Sequence, residues 1–178
     1  YELLGHTEIP RSVVKARLED LWTRYLKHFD NELVSSLVRP FPGVVECLNH
    51  VESKAGQALM GLLTGNIEPG AQRKLDASGL GFSRFQVGAF GSDSENRDEL
   101  PMIAAARAKA LVGEHPESET LVIVGDTPAD ISCGKAVGAR TIAVATGVYS
   151  RFQLEECCPD FLFDSLENTD LVWDAMIR

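Results

Sequence analysis

The sequence predicts an α/β protein built on a mostly parallel sheet with flanking helices. Three observations carry that prediction. Short apolar runs such as residues 121–124 (LVIV) and 141–145 (TIAVA) suit strands buried on both faces. Segments of helical periodicity separate these runs, so successive strands need crossover connections and pair in parallel. Polar clusters follow three of the strands, which brings them to one edge of such a Rossmann-like sheet, where ligands bind.

Each element follows in order. Residues 1–5 read as the end of a helix stopped by Gly5. Residues 12–38 then carry Val14, Leu18, Leu21, Trp22, Tyr25, Phe29 and Leu33 at three- and four-residue steps, the apolar stripe of a long core helix or of a lid over a site. Arg39-Pro40-Phe41-Pro42-Gly43 is a stiff break and marks a domain junction. Residues 44–51 resume helix. Residues 58–63 (ALMGLL) are the first strand, and Pro69 suits the opening of a helix that stops at Gly79. Residues 86–90 form a second strand and 99–112 an alanine-rich helix. Strands at 121–124 and 141–145 flank a helix at 128–137. A helix at 150–157, a short strand at 161–163 and a closing helix at 165–176 complete the chain. Gly134, Ala136, Gly138 and Ala139 are small residues suited to close helix–sheet packing.

With 178 residues, the chain is long enough for one domain with a small accessory piece. Its 44% hydrophobic and 24% charged residues are those of a globular protein. A net charge of −9 argues against general nucleic-acid binding, which needs a basic face. Cys47, Cys133, Cys157 and Cys158 form no metal-type spacing, and the adjacent pair is a poor disulfide framework, so free thiols are expected. No apolar run reaches a membrane span. His6, His28, His50 and His115 lie apart with no ligand spacing, and Lys54, Lys74 and Lys135 read as solvated helix charges.

The clusters at the strand tips carry the chemistry. Thr64-Gly65-Asn66 offers a hydroxyl and backbone N–H groups before a helix, a natural phosphate cradle, although the same residue types make ordinary turns. The loop from Gly91 to Glu99 has one cation, Arg97. It can bind a phosphoryl oxygen and a carboxylate together, or pair with Asp93 or Glu99. The third cluster, Gly125-Asp126-Thr127-Pro128-Ala129-Asp130, sets two carboxylates at a strand tip with no basic residue before Lys135. Thr127 with Asp130 also fits a capping box, with Pro128 at the first helical position. That reading does not explain Asp126, which precedes the cap. Hard carboxylate oxygens suit Mg²⁺, which keeps several waters and uses one or two protein carboxylates.

Taken together, LLTGN at 62–66, an Arg-bearing loop before a helix, and VGDTPADI at 124–131 followed by IAVATG resemble the haloacid dehalogenase-like hydrolase superfamily, and within it the phosphoglycolate phosphatase-like branch with a helical cap. The resemblance covers residues 40–163. It implies that Thr64, with Gly65 and Asn66, binds the transferring phosphoryl group. It implies that Arg97, or alternatively Arg73 or Lys74, shields charge on nucleophile and phosphate, and that Asp126, helped by Asp130, binds Mg²⁺. The implied activity is Mg²⁺-dependent hydrolysis of a small phosphorylated metabolite through a phospho-aspartyl intermediate.

The family's nucleophile run, Asp-x-Asp-Gly-Thr on the first strand, does not occur in the 178 residues. With the implied sheet order 3-2-1-4-5, losing strand 1 would leave a central gap, so the expectation is that the native protein extends N-terminally and supplies that strand. Residues 1–38 would then be the C-terminal half of a helical cap, and 39–178 the core lacking its first strand. The expected setting is cytoplasmic, as a monomer or homodimer, with no nucleic-acid or membrane partner. The alternatives are a non-catalytic relative that binds a phosphorylated ligand or a protein, or another reaction of the superfamily: dehalogenation, phosphonate cleavage or sugar-phosphate mutation.

Overall fold

The computed structural model of the chain describes residues 9–35, 38–54, 56–113 and 116–178. The turn expected at residues 1–5, with His6 and His115, lies outside them.

Five strands and seven α-helices alternate along the described residues: α1 (Arg11–Ser35), α2 (Val44–Ser53), β1 (Gly61–Thr64), α3 (Glu68–Ala77), β2 (Val87–Phe90), α4 (Leu100–Val112), β3 (Val122–Gly125), α5 (Pro128–Ala136), β4 (Arg140–Val144), α6 (Arg151–Glu156), β5 (Phe161–Phe163) and α7 (Thr169–Ile177). Every strand pair is parallel. The strands form two sheets rather than one, β1–β2 and β3–β4–β5, with no ladder between β1 and β3 among the described residues. Val124 on β3 is 38% exposed, unusual for an apolar residue in a strand flanked by helices.

Two element starts differ from expectation by three residues or more, and α1 ends at Ser35, short of the expected Val38, with residues 36–37 outside those described. β1 begins at Gly61 because its partner begins at Val87; Met60 and Gln86 close the end of the ladder, with the Gln86 N–H donating to the Met60 carbonyl (3.0 Å) and the Met60 N–H to Gln86 Oε1 (3.1 Å). The apolar character of 58–60 therefore does not mark pairing. α7 begins at Thr169 because Asn168 caps it, its side chain accepting from the Leu171 N–H.

The core gathers on the three-stranded sheet, where Leu154 of α6 packs with Ile131 of α5 and Ala143 of β4, none more than 2% exposed. Truncation of Leu154 to Ala should therefore destabilise the chain by about 2–5 kcal/mol in urea unfolding. A loss below about 1 kcal/mol would show that α6 collapses into the space.

The break at 39–43 is a tight crossing. Gly43 has φ +80°, and a Cβ there would overlap the backbone of Leu166 and Glu167. Glycine serves both demands.

α1 carries no fully buried residue among those with described side chains. Val14, Leu18, Trp22, Phe29 and Leu33 of the expected stripe are half-buried, whereas Leu21 (55%) and Tyr25 (39%) are exposed. The helix lies on α3: Tyr25 packs at Gly70, and Arg73 donates to Asp30 (2.6 Å) and to the Pro69 carbonyl (3.0 Å). No helix among the described residues is long and apolar enough to cross a membrane. All four cysteines are free thiols.

Candidate active site at the strand tips

The tip of β1 turns sharply into α3. Thr64 Oγ1 accepts from the Asn66 N–H (3.2 Å), a hydroxyl turn that leaves the Thr64 O–H free to donate. The Asn66 carbonyl accepts from the Gly91 N–H (2.9 Å), which ties this turn to the tip of β2. A Cβ on Gly91 would overlap the Gly65 carbonyl, so the two tips approach as closely as backbones allow.

The tip of β3 is built differently. Thr127 caps α5, and its side chain and the Asp130 carboxylate exchange the two bonds of a capping box. Asp130 Oδ2 accepts from the Thr127 N–H (3.1 Å) and Oγ1–H (2.7 Å). Asp130 is 9% exposed, and its packing against β3 leaves no room for a side chain on Gly125.

Arg97 joins the two tips. It opens a 3-10 turn, Arg97–Glu99, and its Nη2 donates to Asp130 Oδ1 at 2.5 Å while Nη1 lies near Gly65. Its Nε is buried with no hydrogen-bond partner, and the guanidinium lies against the buried Cys133 thiol. The structure thus brings Thr64, Gly65, Asn66, Arg97 and Asp130 to one place. Neither alternative pairing of Arg97 forms: Asp93 is taken by Arg107 and Glu99 by Ser94. Arg73, a candidate for the same role, is engaged with α1.

Asp126 is the other carboxylate of the third cluster. Its side chain lies against Gly147, where any Cβ would overlap Oδ2. Among the described residues its carboxylate has no hydrogen-bond or ion-pair partner, whereas both oxygens of Asp130 are engaged. No group of three or more His, Cys, Asp or Glu that could hold a metal occurs among the described residues. Asp126 offers one uncommitted carboxylate and Asp130 Oδ1 one spare lone pair, hard oxygen donors of the kind a largely hydrated cation takes.

Sequence reasoning missed Arg107. It forks onto Asp93 at 2.7 and 2.8 Å and onto the Gly88 carbonyl at 2.6 Å, fixing the loop that delivers Arg97. The hydrogen bond from Arg107, then that from the Phe90 N–H, holds the Asp93 carboxyl below its usual range. A depressed carboxylate stabilises the fold above its unfolded pKa, and that contribution is lost as pH falls through the folded value. Arg107→Met should therefore cost about 0.5–1 kcal/mol at neutral pH, the pair being partly exposed, and less at acid pH once Asp93 is protonated and only the bond to the Gly88 carbonyl remains. Urea midpoints at the two pH values check this; equal differences at both would remove the ion pair as the cause.

Residues 99–169 match the family model described as HAD-hydrolase-like. The chain is 27% identical over 139 residues to a phosphoglycolate phosphatase of Aquifex aeolicus, covering 77% of this chain and 60% of the relative. It is 28% identical over 148 residues to that of Mesorhizobium japonicum, covering 83% and 62%. It is 26% identical over 164 residues to the pyrophosphatase PpaX of Bacillus anthracis, covering 92% and 73%. The chain thus spans about 60% of the length of the first curated relatives it matches. A haloacid dehalogenase-like protein of Agrobacterium tumefaciens superposes with TM-score 0.64 at 16% identity, over 99% of this chain and 83% of that one. A haloacid dehalogenase-like family hydrolase of Streptococcus pneumoniae gives 0.61 at 16%, over 75% and 59%. At such identities these likenesses speak for the fold alone.

Proposed function

We propose that the chain is the larger part of a haloacid dehalogenase-like phosphatase acting on a small phosphorylated metabolite, a reading supported by the family model over residues 99–169 and by the phosphatase relatives. The observation that carries this reading is Arg97, which spans from the Thr64-Gly65-Asn66 turn to Asp130. A dianionic phosphoryl group fits there. The Thr64 O–H and the turn's N–H groups would bind its oxygens and Arg97 would neutralise it. Asp130, pinned by Thr127, would hold Arg97 in place. Asp126 would hold Mg²⁺ with help from Asp130, and the ion when bound supplies charge neutralisation for phosphate.

The nucleophile would be a carboxylate on a further parallel strand lying between β1 and β3. It would attack phosphorus, release the alcohol and pass the phosphoryl group to water as a phospho-aspartyl intermediate. The separation of the two sheets, the exposure of Val124 and the greater length of the curated relatives support a strand there. On this reading residues 1–38 are half of a helical cap and 39–178 the core without that strand.

The test has two steps. The coding sequence before Tyr1 should encode an Asp-x-Asp-Gly-Thr-like strand, and the protein containing it should release phosphate from members of a phosphate-ester panel when Mg²⁺ is supplied. A start codon near Tyr1, or no release from any ester, would overturn the reading in favour of a non-catalytic phospho-ligand binder.

A further inference from the structure

The adjacent cysteines 157 and 158 play no part in the phosphatase reading, and their geometry is specific. They end α6 and precede β5. Cys158 is exposed and Cys157 half-exposed, whereas Cys47 and Cys133 are buried. Both thiols lean back over the last turn of α6: Cys157 Sγ lies 3.4 Å from the Gln153 carbonyl oxygen and Cys158 Sγ 3.6 Å from that of Glu156. The backbone beneath them is fixed. The Cys157 N–H donates to Leu154 (3.1 Å), the Cys158 N–H to Glu155 (2.8 Å), and the Cys157 carbonyl accepts from Lys135 Nζ (2.7 Å). Cys158 has φ +52°, the only positive φ of a non-glycine residue among those described.

We propose that Cys157 and Cys158 form a vicinal-dithiol clamp for a trivalent organoarsenical, a thiophilic centre that takes two sulfurs. Three considerations select that ligand class. A direct disulfide is disfavoured, because Cα atoms joined by one trans peptide stand about 3.8 Å apart, short of the roughly 4.4–6.8 Å that disulfides need. An atom inserted between the sulfurs lengthens the bridge and relieves that strain. A structural Zn²⁺ needs about four ligands, and no third or fourth donor of the required kind gathers here among the described residues. A centre with one organic substituent needs two thiols and no more. The step balances without oxidant or reductant: two S–H and two As–O bonds break, two As–S bonds form, and two waters leave.

The clamp is independent of the phosphatase reading, and its test reads mass rather than activity. The chain is incubated with one equivalent of phenylarsonous acid, challenged with excess glutathione and digested with trypsin. Cleavage after Arg151 yields a peptide, residues 152–178, that contains Cys157 and Cys158 and neither other cysteine. One phenylarsenic group bridging that peptide is expected, retained against glutathione and removed by 2,3-dimercaptopropanol. In Cys157→Ser or Cys158→Ser the label should be lost to glutathione at least about tenfold faster, because the second bond is no longer intramolecular. Label on the peptides of Cys47 or Cys133, or equally fast loss from the wild-type chain and the serine variants, would overturn the clamp.

Discussion

On the proposed phosphatase reading, replacing Asp126 by Asn is expected to lower Mg²⁺-dependent phosphate release about 10²–10³-fold, measured in a protein that carries the nucleophile strand, while leaving the fold intact. The two halves of that expectation have separate causes. The Asp126 carboxylate has no hydrogen-bond or ion-pair partner among the described residues, so converting it to an amide should change folding stability by no more than about 0.5 kcal/mol. It is also the one carboxylate of the cluster not committed to a neighbour, so under the phosphatase reading most of the protein's charge at the cation rests on it. Urea unfolding, calorimetric titration with Mg²⁺ and phosphate release together check this. Unchanged activity with an unchanged Mg²⁺ requirement would remove Asp126 as a ligand. A large stability loss would make it a structural residue.

The second expectation concerns Gly125, where Ala should destabilise the chain by about 2–4 kcal/mol. A Cβ at this position overlaps the Asp130 carboxylate itself. That carboxylate cannot swing aside at small cost. It is buried, it accepts two bonds from Thr127, and it holds Arg97 at 2.5 Å. Pushing it out breaks the cap of α5 and leaves the Arg97 cation without its carboxylate. A double-mutant cycle makes the cause explicit. Combined with Asp130→Gly, which removes both the overlapped carboxylate and its Cβ, Gly125→Ala should cost markedly less than it does alone. Additive costs would place the damage in the strand backbone instead.

The parts of the site that were legible in the sequence are local ones. The capping box depends on Thr127 and Asp130 three residues apart, so residue type and spacing suffice to foresee it. Asp126 stood out because the cap explains its neighbours and not it. The turn at Thr64-Gly65-Asn66 is likewise made within three residues. The glycines were legible as glycines but not for their reasons: Gly125 and Gly147 make room for carboxylates, one from α5 and one from a different strand tip. Arg107 carried no signal at all in the alanine-rich run of α4, since its partner Asp93 lies 14 residues earlier across a loop.

The sequence by itself determined the succession of strands and helices, the cap on α5 and the residue types at each tip, because these follow from periodicity and short-range hydrogen bonding. Tertiary structure alone decided that Arg97 pairs with Asp130, 33 residues away, rather than with Asp93 or Glu99 nearby. The reason is geometric. Arg107 occupies Asp93, Ser94 bonds to Glu99, and the packing of α5 against the Arg97 turn brings the Asp130 carboxylate within reach of the guanidinium. Which strand edges meet in space is likewise not recorded by periodicity along the chain; the two sheets agree with the central gap expected from the resemblance.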